Sequence, residues 1–138
     1  MRVIGLDWGA KRIGVAVSDE MGWTAQAYAT VPHHSQQATA DAIGKICEEV
    51  KAERIVLGLP LNMDGTRGPK ALEAEEFGRL LERNLGLPVE YQDERLSTVS
   101  SNRVLLQADL SRKRRREIID RLAAAVILQT WLDKHSKS

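Results

Sequence analysis

The sequence predicts a single α/β domain built on a mixed five-stranded sheet, and three observations predict it. Residues 3–19 carry two strand patterns separated by a glycine-bearing turn. Residues 35–51 carry a helical apolar spacing, and residues 54–58 then form a short continuous apolar run, the pattern of a strand buried on both faces. A strand, a long helix and a second strand make a crossover, so the run at 54–58 lies parallel to the first strand.

A chain of 138 residues has the length of one domain, predicted over residues 1–138 with 134–138 as a frayed tail. The hydrophobic fraction of 43% and charged fraction of 28% are those of an ordinary globular protein. A net charge of +1 excludes a general polycation, so any affinity for nucleic acid has to come from local clusters. The single cysteine, Cys47, excludes an internal disulfide framework and fits a reducing cytosol. Too few apolar residues precede Asp7 for a secretory signal, and no stretch approaches the ~20 apolar residues of a membrane span. A cytoplasmic protein with no membrane partner is expected.

The first strand is Val3, Ile4 and Leu6, ending in a carboxylate, Asp7, with Gly9 expected to supply conformational freedom for the reversal. Ile13, Val15 and Val17 then alternate with Arg12, Gly14, Ala16 and Ser18, the period of an antiparallel partner strand. Asp7 thus ends a strand expected to be central. It either pairs with Lys11 as a turn cap or belongs to a site that handles a metal and a polyanion.

Residues 24–31 follow as a third strand after a turn around Gly22, closed by Pro32. His33 and His34 have no acid or thiol at ligand spacing, so a solvated pair at the helix entry is expected. Ser35 is the candidate N-cap of the first helix, whose apolar stripe is Ala42, Ile43, Ile46, Cys47 and Val50. The long irregular stretch from 58 to 69 leaves the C-terminal end of a parallel strand, where ligands bind in open α/β sheets. With Asn62, Thr66 and Arg67 it reads either as a connection or as a flap over substrate. The next helix begins near Pro69, carries Ala74, Phe77, Leu81 and Leu85, and ends at Gly86.

Residues 87–92 are a short edge strand with Pro88 at its start, and it runs into Asp93-Glu94-Arg95-Leu96-Ser97-Thr98. Glu94 is the second candidate acid, the alternative being a surface ion-pair cluster. Ser97 or Thr98 caps a helix through Val104, Leu105 and Gln107. Arg112, Lys113, Arg114, Arg115 and Arg116 follow consecutively. Cations at a helix start oppose its dipole, so their presence there points to phosphate as the target, or else to a solvated helix end. The last helix, residues 115–132, is predicted to bury Ile119, Leu122, Ala123, Val126 and Ile127. Asp120 shares a face with Ala123, Ala124, Ile127 and Trp131, and small neighbours there let the helix approach the sheet.

Asp7, Glu94 and Asp120 therefore converge on one side of one sheet. Three carboxylates that close to one another need a cation, and one or two Mg²⁺ or Mn²⁺ ions are the natural choice for phosphodiester hydrolysis. Lys11, Arg12, Asn62, Arg67, Arg95, Ser97, Thr98 and the five cations from Arg112 to Arg116 form the candidate nucleic-acid contact set. Aromatic residues are 4% of the chain, which favours backbone and shape recognition over base stacking.

The segments Gly5-Leu6-Asp7-Trp8-Gly9-Ala10-Lys11-Arg12-Ile13-Gly14-Val15-Ala16, Gly58-Leu59-Pro60, Asp93-Glu94-Arg95-Leu96-Ser97-Thr98 and Asp120-Arg121-Leu122-Ala123-Ala124 together resemble the YqgF family over nearly the whole chain. That bacterial family is related to Holliday-junction resolvases and described as pre-16S rRNA nucleases. The resemblance implies a ribonuclease H-like fold, with the first three strands antiparallel and the last two parallel to the first. It implies Asp7, Glu94 and Asp120 as catalytic, metal-binding acids, and a role in trimming the 5′ end of the small-subunit rRNA precursor. The related resolvases carry a fourth acid; here Ala123 and Ala124 stand one turn after Asp120. Two other nucleic-acid readings stay open: a nuclease of branched DNA, which needs a dimer, and a non-catalytic RNA- or ribosome-binding module. A monomer or weak homodimer is expected. An actin-like or sugar-kinase ATPase needs two lobes, which 138 residues do not supply.

Overall fold

The computed structural model describes residues 1–94 and 112–135. β1 (Arg2–Asp7) lies at the centre of a five-stranded sheet of order β3-β2-β1-β4-β5. β2 (Arg12–Ser18) pairs antiparallel with β1, and β3 (Ala25–Pro32) pairs antiparallel with β2. α1 (Gln36–Val50) returns the chain so that β4 (Ala52–Leu59) runs parallel to β1. α2 (Pro69–Leu85) does the same for β5 (Val89–Asp93), which runs parallel to β4 at the sheet edge. This is the predicted mixed sheet, with the parallel strands placed by the crossovers.

Local sequence explains the helix ends. Ser35 caps α1 by accepting from the Ala38 N–H at 3.1 Å, as its position before the apolar stripe predicts. Pro69 opens α2, and Gly86 closes it at φ 69°, a left-handed conformation that favours glycine. Gly9 is different from expectation. Its φ is not positive; a Cβ there would lie 2.5 Å from the Arg12 carbonyl oxygen, so glycine is needed for space rather than rotation. Pro88 stands before β5 instead of in it, its carbonyl accepting from the Ile55 N–H at 3.0 Å. The helix expected through Val104 to Gln107 falls outside the described residues.

Side-chain alternation divides the core in two. Ile4, Leu6, Ile13, Val15, Ile55 and Leu57 point to the face covered by α1 and α2, where Phe77, Ile43 and Leu81 are fully buried. Val3, Ala16 and Val56 point to the opposite face, covered by α3 (Arg112–His135). α3 already includes Arg112, three residues before the apolar pattern suggests, because the basic run is itself helical. Its buried stripe is Ala123, Ala124, Ile127, Leu128, Trp131 and Leu132, while Ile119, Leu122 and Val126 are only half-buried. The stripe is therefore rotated toward Asp120. Asp120 itself stays 16% exposed at the side chain. No helix among the described residues is long and apolar enough to cross a membrane.

Candidate active site

Sheet register places the two strand-borne acids. Along β1, residues 3, 5 and 7 face α3, so Asp7 points out of the sheet on the α3 side and is 6% exposed. On β5, Gln92 pairs with Gly58 of β4, and Glu94 comes two residues later on that same face. Asp120 arrives from above, on α3.

Two glycines make room for the elements that carry these acids. Gly14 is the direct cross-strand partner of Asp7. A Cβ at Gly14 would run into the backbone carbonyl of Asp120, so this glycine is what brings α3 down beside Asp7. Gly58 lies one residue past the Leu6–Leu57 pair, on the other side of β1. A Cβ there would lie 2.8 Å from Glu94 Oε1 and 2.6 Å from Ile127 Cδ1. One glycine on each neighbour of β1 thus admits one of the two other acids.

The three carboxylates line one cleft of about 520 Å³, together with Trp8, Gly9, Lys11, Arg12, Pro60, Lys70, Arg116 and Ile119. Arg12 Nε donates to Asp120 Oδ2 at 2.6 Å, with the side chains 31% and 16% exposed. The β1–β2 turn that carries Lys11 is clamped from below by His33. Its Nδ1 donates to the Gly9 carbonyl at 2.7 Å, and its N–H donates to the Lys11 carbonyl at 2.9 Å. The His33 ring meets Trp8 edge-on at 5.7 Å and Phe77 at 5.6 Å. His33 is therefore a half-buried positioning residue and not the solvated one its polar neighbours suggest.

Of the other expected contacts, Arg116 reaches the cleft, while Arg112, Lys113 and Arg114 are exposed and Arg115 half-buried along the start of α3. Arg67 pairs with Glu75 at 2.9 Å. Asn62 is turned into its own loop: its Nδ2 donates to Thr66 Oγ1 at 2.9 Å, and Thr66 is held by Asp64. Residues 62–66 thus form a self-bonded turn rather than a loose strap. Arg95, Ser97 and Thr98 lie outside the described residues. Sequence reasoning missed Lys70. It sits in the first turn of α2, where a cation opposes the helix dipole, the same signal that singled out the 112–116 run.

Among the described lining residues the metal-binding groups are carboxylates alone, with no thiolate or imidazole. That donor chemistry, in a cradle kept open by Gly14 and Gly58, fits a hard divalent cation. Among the described residues no three of His, Cys, Asp and Glu are grouped to hold an ion as they stand. One oxygen of Asp120 is taken by Arg12.

A mixed sheet of this order, with acids on the central strand, just past an edge strand and on a covering helix, defines a ribonuclease H-like protein with an acidic cleft rimmed by cations. The fold is similar to that of Thermus thermophilus RuvC in complex with Holliday junction substrate (TM-score 0.58, 14% identity, 99% of this chain and 97% of that one). It is similar also to the fowlpox virus Holliday junction resolvase (TM-score 0.57, 13% identity, 97% and 99%). The family described as RuvX, Holliday junction resolvase, matches residues 1–134, and the chain belongs to that family. A relative from Syntrophomonas wolfei is 56% identical over 133 residues, 96% of this chain and 94% of its own. One from Myxococcus xanthus is 53% identical over 135 residues, 98% and 89%. Both are provisionally named as pre-16S rRNA nucleases. The chain is a member of a nuclease family, acting on phosphodiester bonds.

Proposed function

We propose that this chain is a divalent-metal-dependent endonuclease of structured RNA that processes the 5′ end of pre-16S rRNA in the cytoplasm. The observation that carries the reading is that Asp7, Glu94 and Asp120, from three different elements, line one cleft together with Lys11, Lys70 and Arg116. A purely structural acid cluster has no need of cations that, among the described residues, make no ion pair. The substrate comes from the names of full-length relatives at about half identity.

Asp7, Glu94 and Asp120 would hold Mg²⁺ or Mn²⁺, which supplies an activated water and neutralises charge on the leaving oxygen. The remaining work belongs to the chain itself. Lys11, Lys70 and Arg116 hold the phosphate backbone by charge, independent of base sequence. Asp7, buried at the end of a central strand, has its position set by the sheet. Trp8 is the only aromatic residue among the described lining residues, and its ring packs against His33, so shape rather than stacking selects the substrate.

The test is cleavage of a precursor RNA carrying a 5′ extension, beside a four-way DNA junction, each with Mn²⁺ and with chelator. Asp7→Asn should lower the rate on the order of 10³-fold while RNA binding persists. Equal cleavage in excess chelator refutes the reading. Cleavage of the junction in place of the RNA moves the substrate to branched DNA, the reading favoured by the family description.

A further inference from the structure

Arg12 stands at the junction of the two halves of this site. It is the first residue of β2, and its guanidinium reaches across to α3 to donate to Asp120 Oδ2 at 2.6 Å. Both side chains line the cleft and both are largely shielded from water. The other cations of the cleft behave differently: among the described residues Lys11, Lys70 and Arg116 make no ion pair. One cation of the rim is therefore committed to an acid while its neighbours remain available to phosphate.

We propose that Arg12 is an exchangeable counter-ion: it neutralises Asp120 in the metal-free protein, gives up that carboxylate when a divalent ion enters, and then turns to a phosphate of the bound nucleic acid. The proposal rests on Asp7, Glu94 and Asp120 being the metal-binding acids. A carboxylate oxygen at 2.6 Å from a guanidinium nitrogen has one of its two lone pairs occupied. A divalent ion at the same acid must share or displace that bond, and it repels the guanidinium at short range in a partly desolvated cleft. A released guanidinium remains fully charged, because arginine does not deprotonate at physiological pH, and it presents a planar fork suited to phosphate oxygens. Metal binding and nucleic-acid binding then favour each other through one side chain, and the coupling is reciprocal. Arg12 acts first on Asp120 and then on the phosphate.

The test uses binding, without turnover. Mn²⁺ is titrated into the full chain without nucleic acid, by calorimetry or by loss of the free-ion paramagnetic resonance signal. Arg12→Gln should bind Mn²⁺ about tenfold more tightly than the parent, within the usual range of site–site coupling. Unchanged or weaker binding by a folded Arg12→Gln overturns the proposal while leaving the metal site standing. Absence of Mn²⁺ binding by the parent overturns the metal reading and this proposal with it. The second arm measures RNA affinity in chelator by fluorescence anisotropy. Asp120→Asn frees Arg12 without metal and should tighten binding about fivefold. That gain should vanish in the Arg12→Gln/Asp120→Asn double variant. A gain that persists in the double variant reports only the lost negative charge and refutes the exchange.

Discussion

At the residue scale, the acids were legible because they stand in places that disfavour charge. Asp7 ends an apolar strand, and Asp120 shares a helical stripe with Ala123, Ala124 and Ile127. Lys70 and His33 were not legible as parts of the site. Each sits among polar neighbours, and only the tertiary path of α2 and of the β3–α1 connection brings them to the β1–β2 turn. Cys47 shows the reverse, a reactive residue type whose environment makes it inert. Burial against α2 and β4 pushes its thiol up to about 11. The neutral thiol is favoured in the folded state, so its contribution to stability is fully present below about pH 9 and is lost as pH climbs from there toward 11. Iodoacetamide at pH 8 should label Cys47 only after denaturant is added. Cys47→Ala should flatten the alkaline fall in stability across the window from pH 9 to 11, as measured by urea midpoints at each pH. Labelling of the native protein at the rate of a free thiol would contradict the buried placement.

At the element scale, what shapes the site is how closely α3 lies on the sheet. Gly5, Gly14, Ala16 and Gly58 all face that helix, and a Cβ at Gly5 would lie 2.6 Å from Leu128 Cβ. The period-2 placement of these small residues is visible in the sequence, on strands that were read correctly. Which helix lands on them is not, because a helix of any register could cover a smooth face. For the same reason the predicted buried stripe of α3 was rotated: its apolar residues wrap round most of the helix, and only the glycines decide which side goes down. Two substitutions separate packing from chemistry. Gly14→Ala meets the main chain of Asp120, which cannot move without the helix, so a loss of about 3 kcal/mol is expected, with activity falling together with stability. Gly58→Ala meets the ends of two side chains, Ile127 and Glu94, which can turn aside. Its stability should change by about 1 kcal/mol or less, while cleavage falls about 10²-fold because Glu94 is displaced. Thermal melts and single-turnover rates on both variants decide this, and equal effects on both quantities in both variants would refute the distinction.

At the scale of the whole molecule, the candidate cleft joins parts of the chain that otherwise belong to separate layers. Asp7 belongs to the central strand, Glu94 follows the edge strand β5, and Asp120 belongs to the helix that covers the second core. On the proposed reading, a divalent ion held by the three would tie β5 and α3 to β1, and would offset the mutual repulsion of their charges. Metal should therefore stabilise the fold as well as activate the site. An ion at about one hundred times its dissociation constant adds about 2.7 kcal/mol by mass action. For a domain of this size that corresponds to a rise of roughly 8–12 °C in melting temperature. Mn²⁺ should raise the melting temperature of the parent by that amount over chelator, and Asp7→Asn, folded at the outset, should lose most of the rise. Hydrogen exchange should localise the added protection to β5 and α3, the elements the ion would bridge to β1. A uniform rise in protection, or an undiminished rise in Asp7→Asn, would mean that the ion binds elsewhere on the molecule.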